Sequence, residues 1–424
     1  MSRSLKVAPQ YIEIVKAALP RNRFARQQDL AESVQLSRGT VWNFLNGKPV
    51  DYLNFYELCQ KLGLILEDIA DFSVGDKNSS LAVEVDEEQT DTESEVSTYI
   101  LRPPSESRCY ETIVKPGSLL RIKAPKRMGK TLLIEKILEK AVKENYRTVR
   151  LNLLQADQAV LRGLDEFLRW FCTFVSRRLK LPTQLAEYWE EGLGSSQNCT
   201  IYFEDHLLSQ LDQPLVLALD DVDRIFPYPK IAQDFFGMLR VWHEEAKTSR
   251  PWQKLRLVIS YSTDVYIQLN TNRSPFNVGV PIELPEFTSE QMHELAQQQG
   301  LDLDNSQVTQ LIETVGGHPH LIQLAIYSLT RKDITFDQLL QTAATESGIY
   351  SNHLRGQLWN LQQYPELAAA MKTVVEANCP VPLESMLAFK LQSLGLVQLE
   401  DNAAKPRCLL YSRYFSQKLR GRET

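Results

Sequence analysis

The chain has 424 residues, 43% of them hydrophobic and 24% charged, which is the composition of an ordinary soluble globular protein of about two to four domains. Its formal net charge of -6 argues against wholesale coating of nucleic acid or of an anionic membrane, but leaves room for one small basic reading surface. Cys59, Cys109, Cys172, Cys199, Cys379 and Cys408 lie far apart with no CxxC pair, the opening MSRSLKVAPQ has no signal-like apolar run, and no stretch of about 20 apolar residues is available to span a bilayer. The thiols therefore read as reduced, mostly buried small hydrophobes, and the expected location is the cytoplasm.

Residues 1–71 read as a small all-α domain of short helices joined by brief turns. Within it, QQDLAESVQLSRGTVWNFLN (27–46) lays out a helix, a turn at Gln35–Leu36, an N-cap at Ser37 and a second helix ending before Gly47. Leu30, Ala31, Val34, Leu36, Val41, Phe44 and Leu45 form its apolar set. This spacing resembles the helix-turn-helix of phage-repressor-like domains. If the module reads DNA, Ser37–Leu45 is the groove helix, with Arg38, Thr40, Trp42 and Asn43 facing outward. On that helix only Arg38 is basic, with Lys48 just beyond. Arg21, Arg23 and Arg26 precede it. Residues 1–71 hold 9 Lys plus Arg against 8 Asp plus Glu, which offers little counterion release. An outward Trp42 equally suits a protein interface, so DNA binding and protein docking both stand.

Residues 72–98, FSVGDKNSSLAVEVDEEQTDTESEVST, carry many acids and a single Lys, and are expected to be an acidic flexible linker. From 99 to 287 short apolar strands alternate with helical stretches, the signature of an α/β domain built on a parallel sheet. The candidate strands are Leu119–Ala124, Thr148–Leu153, Leu215–Asp220, Leu255–Ser260 and Val280–Leu284. From 288 to 354 the pattern is helical, with Ser289 and Ser306 as expected N-caps. Residues 355–424 close the chain with helices, two short strands around DNAAKP and a last helix, as in a small winged-helix module. Its end carries Lys405, Arg407, Arg413, Lys418, Arg420 and Arg422, which serve either a nucleic-acid surface or packing on the preceding helices.

The segment APKRMGKT (124–131) follows the strand-like LLRIKA and opens an amphipathic helix bearing Leu133, Ile134, Ile137, Leu138, Ala141 and Val142. It matches the phosphate-binding pattern GxxxxGK[ST], with Ala124 in place of the first glycine. Ala124, Pro125, Lys126, Arg127, Met128, Gly129, Lys130, Thr131 and Leu132 are thus expected to wrap the phosphates of ATP. Backbone N–H groups point inward, and the helix N-terminus adds about half a positive charge. Gly129 lets the backbone approach, Lys130 reaches the β- and γ-oxygens, and the Thr131 hydroxyl ligates magnesium. Lys130 is expected to be an exposed residue where loop becomes helix.

A second acid at a strand end completes such a site. PLVLALDDVD (214–223) supplies Asp220 as the magnesium-side acid and Asp221 as the group that polarises the attacking water. Many ATPases carry Glu at the second position. Asp reaches about 1.5 Å less far, and a misplaced base costs about 100-fold in rate, so turnover is expected to be slow. After the next strand, Ser260, Ser262, Thr263 and Asp264 offer turn hydrogen bonds or a γ-phosphate contact, with Ser262 and Thr263 as the candidates.

Taken together, RPPSESRCYE (102–111), APKRMGKT, LALDDVD (217–223), SPFNVGVPIELPEF (274–287) and GGHPHL (316–321) resemble the bacterial AAA-like ATPases, relatives of the STAND ATPases within the additional-strand, AAA+-type P-loop class. The resemblance spans about residues 99–420. It implies a five-stranded sheet in the order 5-1-4-3-2, a helical lid and a winged helix. It places Tyr99–Arg102 near the adenine, and Gly317 and Pro319 in a lid turn that contacts nucleotide. Arg273 is the candidate for an arginine that reaches a γ-phosphate in cis or from a neighbouring subunit, unless it is a solvated loop residue; Arg127 is a second. His318 and His320 flank Pro319 without a third ligand and fit lid packing better than zinc. Such ATPases often carry repeat arrays as sensors. No fixed-period repeat occurs here, which points to a protein partner as sensor and leaves a nucleotide-dependent homo-oligomer open. The expected activity is a slow regulatory ATPase switch, and the alternative is a DNA-binding transcriptional, mobile-element or defence regulator that uses ATP mainly as a ligand.

Overall fold

Leu215, Leu217 and Leu219 alternate with Val216 and Ala218 along one strand, and the two sets enter different apolar cores. That strand is therefore covered on both faces, which is why it reads as a continuous apolar run. The computed structural model describes residues 4–8, 11–21, 24, 26–34, 36, 38–62, 70–71, 99–262 and 275–420. The chain divides into two compact units, Met1–Ser94 and Glu95–Thr424. The proposed linker 72–98 lies outside the described residues, as do Thr263, Asp264 and Arg273.

The larger unit is built on a five-stranded parallel sheet of β4 (Leu119–Ala124), β5 (Arg147–Asn152), β6 (Leu215–Asp220), β7 (Leu255–Ser262) and β8 (Val280–Glu283). The spatial order is β5-β6-β7-β4-β8. Counting these five strands from the first, this is the 5-1-4-3-2 order that the resemblance implied. All four pairings are parallel, and the register sets Ala124 beside Ser262 and Asn152 beside Asp220. Four polar or loop-bearing strand ends are thus gathered at one edge, the usual place for ligands in a parallel sheet.

One face of the sheet packs on helices Leu164–Leu179 and Pro229–Glu245 through an aromatic layer of Phe171, Phe203, Phe235 and Trp242. The Phe203 and Trp242 rings stand 4.5 Å apart. The other face packs on helices Pro103–Ile113 and Lys130–Lys143. In the latter helix Leu133, Ile134, Ile137 and Ala141 are buried as expected and Leu138 packs partly, but Val142 is exposed. The apolar stripe is one residue narrower than its sequence suggests.

From 289 to 362 five helices follow, then helices Pro365–Glu376 and Ser385–Ser393, strands β10 (Val397–Glu400) and β11 (Ala403–Pro406), and helix Leu409–Lys418. A short β9 (Val381–Pro382) pairs with β11 to make a three-stranded antiparallel sheet. The first two helices of this region are capped by Thr288 and Asp304, not by Ser289 and Ser306. Each forms a capping box with a glutamine three residues on, Gln291 and Gln307, and that reciprocal pair fixes the start earlier than a lone serine does.

The smaller unit holds α1 (Ile12–Arg21), α2 (Gln27–Ser33), α3 (Arg38–Leu45) and α4 (Tyr52–Lys61). It is not all-α. β1 (Ser4–Val7) pairs antiparallel with β2 (Val50–Asp51) and β3 (Ala70–Asp71). Strands of two to four residues carry too little period to be read from sequence, but Val7 and Val50 bring them onto the helical core. Leu30, Ala31, Val34, Val41, Phe44 and Leu45 are all buried there, and Leu36 packs against them.

Candidate nucleotide site

The loop after β4 turns sharply. Arg127 adopts φ 62° and Gly129 φ 91°, and a Cβ on Gly129 would meet the Arg102 guanidinium at 2.9 Å. The positive φ favours glycine there, and any side chain would in addition have to shift the Arg102 guanidinium. Arg102 is itself buried and donates through Nη1 to the Met128 carbonyl at 2.8 Å, so it braces the loop from the start of helix Pro103–Ile113. Met128 is buried, Lys126 and Arg127 are exposed, and Pro125, Thr131 and Leu132 are half-buried.

Lys130 departs from expectation. It is only 6% exposed, because its ammonium turns back into the loop. It donates to the Ala124 carbonyl at 3.1 Å, the Pro125 carbonyl at 2.9 Å and Ser262 Oγ at 3.0 Å. Ser262 is within reach because β4 and β7 pair with Ala124 opposite it.

Asp220 is fully buried at the tip of β6. Its Oδ2 accepts from Thr131 Oγ1 at 2.9 Å and from Arg150 Nη2 at 2.9 Å. Its Oδ1 accepts from the Asp221 N–H at 3.2 Å and from the Ser260 hydroxyl. Asp221 sits in the left-handed region at φ 52°, which turns its side chain away from the strand line. Asn152 Nδ2 holds Asp221 Oδ2 at 2.8 Å. Burial, and then the Asp220 charge, raise the Asp221 carboxyl above its ordinary value. Asp223 accepts from the Ser262 N–H at 2.9 Å and so fixes the end of β7.

The chemistry of this donor set suits a hard cation. A hydroxyl at a helix N-terminus and a buried carboxylate 2.9 Å away are oxygen ligands of the kind magnesium takes beside nucleotide phosphates. Among the described residues, no group of three His, Cys, Asp or Glu side chains stands ready to hold a metal by itself.

The turn before helix Pro319–Thr330 lies next to the loop. Gly317 accepts at its carbonyl from the Phe287 N–H at 2.8 Å, and a Cβ on it would meet the Phe287 carbonyl at 2.4 Å. Pro319 is buried at the first turn of the helix. Arg127 Nη1 stands 2.9 Å from His320 Nε2. His318 is buried against His353, their rings 5.7 Å apart. Burial pushes His318 down to about 3 and His353 down to about 4. Tyr99 donates to Glu106 beside Arg102, whose guanidinium lies 5.4 Å from the Phe287 ring.

The sequence pointed to Lys130, Thr131, Asp220, Asp221 and Ser262, and the fold brings these five together. It gave no reason to choose Arg150 or Asn152, named Ser260 only as a turn or γ-phosphate group, and placed Arg102 near the adenine rather than against the loop. Asn152 and Arg150 become visible only through the β5–β6 register.

A family model described as an AAA-like domain matches residues 86–417. The chain belongs to the AAA-like domain family. Among solved structures, the Walker-type ATPase PABY2304 of Pyrococcus abyssi superposes with a TM-score of 0.54 at 13% identity, over 75% of this chain and 96% of that one. The Aeropyrum pernix ORC2 protein, solved as ADPNP–ADP complexes, gives a TM-score of 0.47 at 15% identity over 76% and 95% of the two chains. An uncharacterized WD repeat-containing protein of Synechocystis sp. is 26% identical over 165 residues, which span 37% of this chain and 14% of that protein. The AAA-like domain here thus carries a P-loop NTPase-like α/β core with a parallel sheet.

Proposed function

We propose that this AAA-like protein binds ATP with magnesium, hydrolyses it slowly, and acts as a regulatory switch. The observation that carries the reading is the joining of Thr131 and Lys130, at the start of one helix, to Asp220 and Ser262 at two strand tips. Lys130 exchanges its loop carbonyls for phosphate oxygens, and the inward N–H groups of 126–131 hold the phosphate chain. Bound magnesium supplies charge neutralisation on the β- and γ-oxygens, with Thr131 and Asp220 as the residues that hold it. Asp221 takes the proton of the attacking water, made more basic by burial and by Asp220. Asn152 holds one of its oxygens and positions the short side chain. Arg273 and Thr263 are proposed as γ-phosphate contacts.

In this reading 99–287 is the ATPase core, 288–354 the lid and 355–424 a winged helix, with 72–98 as linker. Arg127–His320 and Arg407–Glu286, at 2.9 and 2.6 Å, connect the loop and the β8 exit to the C-terminal helices. Nucleotide that draws on Arg127 therefore alters the lid contact, which is how a bound phosphate becomes a change of shape. Residues 27–46 form a helix-turn-helix that docks a protein partner. Trp42 is 43% exposed and Arg38 is the one cation on α3. The second reading, a DNA-binding regulator, draws on Arg38, Thr40 and Asn43. The basic C-terminal end favours it less, since Lys405, Arg407 and Lys418 pair with Glu400, Glu286 and Glu346. No helix among the described residues is long and apolar enough to cross a membrane, and we place the protein in the cytoplasm. The test is particle size and ATP hydrolysis measured in one buffer with and without duplex DNA. Turnover that needs Asp221 supports the switch, and salt-dependent DNA binding without turnover supports the second reading.

A further inference from the structure

Asp220 already has four donors. An ionised carboxylate offers about four lone-pair sites, and here Thr131, Arg150, Ser260 and the Asp221 N–H use them all. A cation or its water reaches this carboxylate only by displacing one donor. Ser260 and the Asp221 N–H lie on Oδ1 and are fixed by the sheet. Thr131 keeps its place, because a hydroxyl donates its proton while its oxygen takes a metal. Arg150 is the donor that is free to leave. It does not grip Asp220 bidentately: Nη2 goes to Asp220 at 2.9 Å, while Nη1 goes to Glu135 at 2.7 Å on the loop's own helix. Its side chain is 29% exposed and that of Glu135 46%, so the guanidinium has water and a second carboxylate to move toward.

We infer that Arg150 competes with magnesium for Oδ2 of Asp220, and so sets the metal dependence of nucleotide binding. The inference rests on the nucleotide reading above. The metal-binding step is an exchange of one cation for another at a buried carboxylate. The guanidinium keeps Asp220 compensated until the metal arrives, and then falls back on Glu135. A group that merely orients Asp220 acts in the opposite direction, because its removal weakens the metal.

The test titrates magnesium into the full chain saturated with ADP, which is not hydrolysed, and reads heat and melting temperature. Wild type, Arg150→Gln, Arg150→Lys and Glu135→Gln are compared. Arg150→Gln is expected to bind magnesium about tenfold tighter, the factor one charge-assisted contact corresponds to. It also gains more melting temperature from magnesium than wild type does. Arg150→Lys falls between the two. Glu135→Gln, at an exposed position that does not threaten folding, leaves Arg150 with Asp220 as its one carboxylate and weakens magnesium by about threefold, the share of a single exposed ion pair. Unchanged or weaker magnesium binding in Arg150→Gln, or unchanged binding in Glu135→Gln, overturns the inference. Wild type whose heat equals that of magnesium added to ADP alone, and whose melting temperature does not respond to ADP with or without magnesium, defeats the nucleotide reading itself and is told apart in that way.

Discussion

The two most informative surfaces of this protein are opposites. At the sheet edge, Lys130 and Asp220 are withdrawn from water, Arg150 beside them is half-buried, and each has specific partners within 3.1 Å. On α3, Arg38 and Trp42 are exposed, and the Trp42 ring meets Lys48 Nζ at 4.6 Å, a cation resting on its face. Buried charge is costly unless paired, so the first arrangement constrains its own chemistry tightly. An exposed indole on a half-neutral helix constrains only the character of what covers it. The inner site thus speaks to a reaction, and the outer one to a class of partner.

The largest test of this contrast falls on the acids. Asp221→Asn is expected to slow ATP hydrolysis by about 10²–10⁴-fold, the usual share of a general base, and to leave MgATP affinity nearly intact. Asp220→Asn should instead weaken the response to magnesium. Steady-state rates and magnesium titrations on both variants check this. An exchange of the two phenotypes breaks the assignment while leaving the site in place.

Next in size is the outer surface. Selection of random duplex DNA by the full chain at moderate salt is expected to enrich no sequence, since near-neutral charge releases few counterions. Enrichment of one sequence, lost in Arg38→Ala at about 1–3 kcal/mol for a base contact, would replace docking by DNA reading.

The smallest effect sharpens the inner half of the comparison. His318 and His353 are held neutral, down to about 3 and 4 from 6.5, chiefly by burial and then by neighbouring histidines. Their folded values lie below their unfolded ones, so the unfolded chain takes up more protons in acid. The stability these two histidines contribute is complete above pH 6.5 and is lost as pH falls from 6.5 through about 4 to about 3. His353 also accepts from or donates to the Tyr411 hydroxyl at 2.8 Å, a contact that glutamine can keep. Melting curves of His353→Gln should show a shallower acid slope than wild type. Equal slopes would remove this histidine from the account.

Much of the inner site was legible. An apolar run ending in two acids, and a loop ending GKT before an amphipathic helix, each carry a physical reason for their spacing. The strand order was implied by resemblance rather than read from residues. Arg150 and Asn152 were hidden because the sequence carries no register. They share one face of β5 as alternate residues, and only the pairing of Asn152 with Asp220 brings both to the acid pair. The burial of Lys130 was missed for a similar reason: its partners Ala124, Pro125 and Ser262 meet only when the loop closes over it. The strands of the smaller unit, two to four residues long, fell below any readable period.

The central claim, that the loop around Lys130 holds the phosphates of ATP, is tested most directly by calorimetric titration of MgATP into wild type and Lys130→Ala. The account predicts saturable binding by wild type and a loss of about 100-fold or more in the variant, the effect of two charge-assisted contacts, with the folded state retained by circular dichroism. Equal affinity of the two proteins for MgATP would contradict it.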